Sequence, residues 1–141
     1  MKLPLGTKIL IIIFLTSGFF HIFNPGVFEP LIPPFLGSKL FWIYLSGVAE
    51  LLSAYGLLRR KSWAPKFTSV VLIIIWVGNW WYAIDITWFK DSSFFLIMGS
   101  WLRLPLQIPL IKWALKSPVN WNLNLLKHLL AYDASSIPPL E

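Results

Sequence analysis

Two charged residues stand near the middle of long apolar stretches: Glu50 in "LFWIYLSGVAELLSAYGLL" and Arg103 in "SWLRLPLQIPLIKWAL". A carboxyl group can give or take a proton, and a guanidinium can hold an anion or a ligand oxygen. In hydrocarbon each is costly alone, about 2.5–3.5 kcal/mol or more for an arginine at the centre of a membrane span. Because both lie about half-way along their stretches, we expect Glu50 and Arg103 to form an ion pair.

Three more polar residues share these apolar surroundings: His21 ends the first stretch, Asn79 lies in the third, and Gln107 follows Arg103 by one turn. With Glu50 and Arg103 they are predicted to converge on one ligand-binding pocket. Glu50 and Arg103 are its candidate catalytic residues. The alternative stays open, because buried polar residues also hold membrane helices together.

Several other site chemistries find no support in the sequence. There is no cysteine, so disulfides, thiolate metal sites and Cys-x-x-Cys redox chemistry are excluded. We expect no metal site, because His21 and Glu50 are the only plausible ligands and His128 lies on the other side. No nucleophile–base pair, phosphate-binding loop or haem-ligating histidine pair is visible.

Composition indicates that a bilayer surrounds the chain. Hydrophobic residues make up 57% of the 141 residues and charged residues 13%, against roughly 25% charged in a soluble domain. The net charge is +6. Because the basic residues flank apolar runs, they indicate a membrane surface rather than nucleic acid.

Four stretches are each close to the roughly 20 residues that a helix needs to cross a bilayer. They are predicted at Leu5–Phe23, Leu40–Leu58, Phe67–Ile84 and Phe94–Leu115. The first resembles a signal peptide, but no small-residue cleavage site follows it, so we expect a retained helix. The third is rich in tryptophan, which is typical of an interfacial belt and can also stack on a flat ligand.

The predicted fold is all-α: a transmembrane four-helix bundle in residues 1–116, multi-pass in the cell or inner membrane. Lysine and arginine cluster on the side of both termini and of "RRKSWAPK", which predicts that this side is cytoplasmic. The loop "NPGVFEPLIPPFLG" is too rich in proline for a regular helix. We expect it to lie against the membrane or to cap the bundle. Residues 117–141 are predicted to be a cytoplasmic tail with a short amphipathic helix on the membrane surface.

Three motifs in order give a resemblance to a known family. "GFFHIFNPGVFEPLIPPFL", "YLSGVAELLSAYGLLRRK" and "WLRLPLQIPLIKWAL" resemble the DoxX-like family of small four-helix membrane proteins. The match covers residues from about 8 to 115, although "VGN" stands where that family often has Pro-Ala-Asn. The resemblance implies a membrane location, a four-helix bundle and an association with quinone chemistry.

Three functions remain open. The protein is a redox-associated subunit whose His21, Arg103 and Gln107 contact a quinone, with electrons supplied by a membrane oxidoreductase partner. Alternatively, it is a small enzyme or carrier that uses Glu50 for proton transfer. In the third interpretation it is a structural or assembly protein without a ligand. Its oligomeric state is left open.

Overall fold

A computed structural model describes residues 2–120, which are helical or irregular and contain no strand in that range. Four long α-helices run through it: α1 (Leu5–Phe23), α2 (Lys39–Leu58), α3 (Ala64–Trp88) and α4 (Phe94–Leu115). Two short 3-10 helices, η1 (Pro25–Leu31) and η2 (Pro34–Leu36), join α1 to α2. All four α-helices are long and apolar enough to cross a membrane, which confirms the four predicted stretches.

The helix ends follow local signals. Ser38 precedes α2, and its hydroxyl accepts a hydrogen bond from the backbone N–H of Phe41 at 3.4 Å, as expected of an N-cap. Pro65 stands in the first turn of α3, where its missing N–H costs nothing. That start and the end at Trp88 make α3 longer than predicted, 25 residues in all.

Contacts between the long helices follow a ring: α1 packs on α2, α2 on α3, α3 on α4, and α4 on α1. The core draws on all four helices, with Leu10, Ile11, Phe14, Ala54, Leu57, Ala64, Val71, Leu72 and Ala114 at its centre. These residues lie in the first part of α1 and α3 and in the last part of α2 and α4. The apolar core therefore fills one end of the helices, and the residues singled out from the sequence lie nearer the other.

The well-packed end also carries most of the positive charge. There the indole of Trp113 covers Gly6, the Thr7 and Ser117 hydroxyl oxygens are 3.0 Å apart, and the Asn120 N–H donates to the Arg60 carbonyl at 2.8 Å. We call this the basic end; it contains Lys2, Lys8, Arg59, Arg60, Lys61, Lys66, Lys112 and Lys116. The opposite end, with Glu29, Lys39, Asp85, Lys90 and Asp91, is the loop end.

The segment between α1 and α2 contains no α-helix, as its prolines predict. It packs on the helices, since η1 contacts α1, α2 and α3. This packing on three helices agrees with the predicted cap. Gly37 has a φ of 75°, which a glycine adopts without strain, and turns the chain into α2. At the other terminus residues 117–120 are irregular, and the predicted surface helix lies outside the described residues.

Candidate functional site: a buried histidine–glutamate pair

His21 and Glu50 are the pair of ionisable side chains that the structure brings together between its helices. The Nδ1 atom of His21 lies 3.6 Å from Oε2 of Glu50, and the two side chains are 10% and 3% exposed. That distance is too long for a hydrogen bond. The two groups are therefore neighbours without a direct bond, enclosed where α1 and α2 meet.

Glycines set the register that makes them neighbours. A Cβ atom on Gly47 would lie 2.7 Å from the Cβ of His21, and one on Gly18 would lie 2.9 Å from the Gly47 carbonyl oxygen. Both distances are too short for real side-chain contacts. Small residues let membrane helices approach this closely, so Gly18 and Gly47 place His21 over the turn of α2 that carries Glu50.

The imidazole of His21 is held from two sides. Its Nδ1 lies 2.8 Å from the Ser17 carbonyl oxygen and 3.4 Å from the Ser17 hydroxyl. Because a carbonyl only accepts, this contact assigns the ring proton to Nδ1 and leaves Nε2 as an acceptor. The ring stacks on Phe28 of η1, with centroids 3.6 Å apart. The loop cap thus covers the site directly.

Glu50 contributes a buried oxygen atom, Oε2, that lacks a hydrogen-bond partner among the described residues. The neighbouring serines of α2 do not serve it, because Ser46 donates to the Ile43 carbonyl and Ser53 to the Ala49 carbonyl. A buried polar atom without a partner costs about 1–3 kcal/mol, and a catalytic role is one of the reasons why a native protein retains such an atom.

The predicted ion pair between Glu50 and Arg103 does not form. Arg103 is exposed on α4. Within residues 2–120 the ionisable neighbour of Glu50 is His21, and the ion pair of lysine or arginine with a carboxylate is Lys90–Asp85. The buried positions of α4 are Ser100, Leu104, Gln107 and Ala114. Arg103 lies beside the buried face of α4 rather than on it. The two charged residues lie at similar depths along their helices, but their side chains do not face each other.

The other two polar residues are buried apart from this pair. Gln107 donates from Nε2 to the Leu72 carbonyl at 2.9 Å, which ties α4 to α3. Asn79 is 8% exposed in α3 and hydrogen-bonds none of the other four predicted site residues within residues 2–120. For Gln107 the structure therefore shows the helix-joining contact that was the alternative to ligand binding.

A concave surface apart from the His21–Glu50 pair, the aromatic groove, lies between α3 and α4. It encloses about 280 Å³ and is lined by Trp76, Trp80, Trp101, Leu104, Pro105 and Ile108. The Trp76 indole N–H donates to the Leu104 carbonyl at 3.0 Å, and that of Trp101 to the Thr87 hydroxyl at 3.0 Å. Sequence reasoning assigned Trp80 and Trp101 to an interfacial belt and noted that the third helix could stack on a flat ligand, but it did not predict a groove between α3 and α4. The spacing of Trp76 and Trp80, one turn apart, was the available signal.

Within residues 2–120 no group of three or more histidine, aspartate or glutamate side chains lies close enough to hold a metal ion. His21 and Glu50 would supply two ligands, whereas a catalytic zinc takes three from the protein.

Comparison with known proteins gives one match. The model of a family described as Domain of unknown function (DUF8561) matches residues 10–117. That span includes most of α1 and all of α2, α3 and α4. No curated protein and no solved structure matches the chain.

Proposed function

This chain belongs to the DUF8561 family, and we propose that it is a membrane protein that exchanges a proton between Glu50 and a small apolar molecule. The observation that carries the proposal is the buried Oε2 of Glu50, which has no hydrogen-bond partner within residues 2–120 and lies 3.6 Å from Nδ1 of His21. Ionisable residues inside a span are rare and costly, and they mark functional sites by default.

The chemistry needs only these two groups. The protonated carboxyl of Glu50 donates its proton to an oxygen or nitrogen of the ligand and becomes a carboxylate. Uptake of a proton at Nε2 of His21 would make the ring cationic and neutralise that carboxylate, whose Oε2 lies 3.6 Å from Nδ1. Return of the proton to Glu50 closes the cycle. General acid–base catalysis of this kind requires the proton donor to come within hydrogen-bond reach of the ligand. Oε2 has no competing hydrogen-bond partner within residues 2–120 but is buried, so the η1 cap or a neighbouring helix must move aside to admit the ligand.

Infrared difference spectroscopy of the protein in lipid nanodiscs tests this directly. We expect a carboxyl band that shifts when H₂O is replaced by D₂O and that changes with pH, because a carboxyl group that transfers protons must also exchange its proton with water. The band should vanish in Glu50→Gln.

Glu29→Gln is the matched control, since it makes the same substitution at an exposed carboxylate of η1. It should leave the band in place. If the Glu50 band neither shifts in D₂O nor changes with pH, the carboxyl group has a fixed protonation state and the proposed proton exchange is wrong. The structural or assembly role would then stand in its place.

A second candidate function is favoured by the aromatic groove. The resemblance to the DoxX-like family leads us to propose a redox-associated subunit that contacts a quinone, with a membrane oxidoreductase supplying electrons. A quinone ring is flat and apolar, and three tryptophans line the groove. His21, Arg103 and Gln107 do not line it, so binding there would rest on ring stacking instead of the hydrogen bonds first expected.

Equilibrium binding of decylubiquinone to the protein in nanodiscs tests this candidate. Trp80→Leu should weaken binding about fivefold, since aromatic stacking contributes about 1 kcal/mol beyond apolar burial. The control is Trp42→Leu, which removes an indole from α2, remote from the groove. Equal binding by both variants would rule out the groove as the quinone site.

Placement in the membrane belongs to the same proposal. The four helices form a transmembrane bundle in the cell or inner membrane, with the basic end on the cytoplasmic side. The concentration of lysine and arginine at that end supports this orientation, because cytoplasmic loops carry the excess of such residues.

A further inference from the structure

We propose that one face of α4 binds a transmembrane helix of a different membrane protein, and that an Asp or Glu in the middle of that helix pairs with Arg103. The docking face consists of Phe95, Gly99, Leu102, Arg103 and Leu106, all of which are exposed. This surface is separate from the His21–Glu50 site; the inference rests on the proposed membrane placement but not on proton exchange at Glu50.

Arg103 has no compensating group among the residues that the structure describes. It makes no ion pair and no hydrogen bond within residues 2–120. It is the tenth residue of α4, which places it roughly 14 Å from the loop end of the helix at ~1.5 Å per residue. That is further than an arginine side chain extends toward the headgroups. An exposed guanidinium at this depth needs a counter-charge that residues 2–120 do not supply.

The helix around Arg103 is the least covered of the four. Of the 18-residue apolar stretch in each helix, 17% is buried in α4, against 33% to 39% in the other three helices. Phe95, Gly99, Leu102 and Leu106 follow one another at the spacing of a single helical face. A Cβ atom on Gly99 would meet nothing within 4 Å, so another helix can come close there.

A second copy of this chain does not supply the missing charge from the described residues. Glu50 is 2% exposed between α1 and α2, and Asp85 is paired with Lys90. Glu29 and Asp91 lie in the connecting segments at the loop end. Two copies meeting through the docking face would also bring two arginines together. Charge complementarity therefore points to a different protein with an acidic residue in mid-span.

The test uses a designed partner in place of an unknown one. A fluorescently labelled leucine–alanine transmembrane peptide with one Asp at its midpoint is mixed with labelled protein in phosphatidylcholine vesicles. Energy transfer measures association. We expect the Asp peptide to bind about tenfold more tightly than peptides with Asn or Leu at that position, from hydrogen bonding and charge pairing in the bilayer.

The variants make the result specific. Arg103→Gln should abolish the preference for Asp, and Arg103→Lys should keep most of it because the charge remains. Arg59→Gln, which removes an exposed arginine at the basic end, is the matched control and should behave as the parent protein. A helical circular dichroism spectrum shows that each variant is folded.

Two outcomes would overturn the proposal. The first is equal association of the Asp, Asn and Leu peptides, which is the result expected if lipid phosphate already satisfies Arg103. The second is an Asp preference that persists in Arg103→Gln, which would assign binding to another part of the chain.

Discussion

Gly47 lies where α1 and α2 come closest, and its missing side chain leaves the room that His21 occupies. The carbonyl oxygen of Gly18 is 3.2 Å from the position a Gly47 Cβ would take. A methyl group there would press on backbone of the facing helix and on the first carbon of a buried side chain. Neither can move away as the end of a flexible side chain would, so the two helices would have to separate.

We therefore expect Gly47→Ala to lower the free energy of unfolding by about 1–3 kcal/mol, the usual cost of overfilling a packed site. Gly99→Ala is the matched control, because it lies in a helix with nothing within 4 Å of the added Cβ. It should change stability by less than about 1 kcal/mol, toward stabilisation, since alanine favours helix. Detergent-induced unfolding followed by circular dichroism measures both. Equal losses would show that the α1–α2 approach is not tight.

At this same scale, the sequence predicted which residues are unusual better than it predicted their partners. Counting residues gives the depth of Glu50 and Arg103 along their helices, but not the direction in which each side chain points. Arg103 and Gln107 are one turn apart, yet Gln107 is 6% exposed and Arg103 is not buried. The boundary of the buried face of α4 runs between them, and that boundary depends on tertiary packing.

Among the elements, the long helices were predictable because length and apolar composition specify a membrane-crossing helix nearly alone. The loop cap was predictable only as proline-rich and irregular. That η1 covers His21 through Phe28 follows from the packing of η1 on three helices, which no local pattern encodes. The tie from Gln107 to the Leu72 carbonyl was equally hidden, since it depends on which turn of α3 faces α4.

For the whole molecule, charge is distributed unequally between the two ends. The basic end holds the starts of α1 and α3 and the ends of α2 and α4, so four separate parts of the chain bring lysine or arginine to one side. In the described residues the acidic side chains other than Glu50 lie toward the loop end. Such a bias sets orientation during insertion, when positively charged segments stay in the cytoplasm.

The absence of cysteine makes this orientation testable with single introduced thiols. Ser62→Cys lies in the exposed turn between α2 and α3, and Ser93→Cys lies in the exposed segment before α4. In intact cells a membrane-impermeant maleimide should label Ser93→Cys and leave Ser62→Cys unlabelled until the membrane is permeabilised. The parent protein, which cannot react, gives the background. The opposite labelling pattern would show that the protein has the reverse orientation, with the basic end outside. The η1 cap and the His21–Glu50 pair would then lie toward the cytoplasm, and Glu50 would exchange its proton with that side.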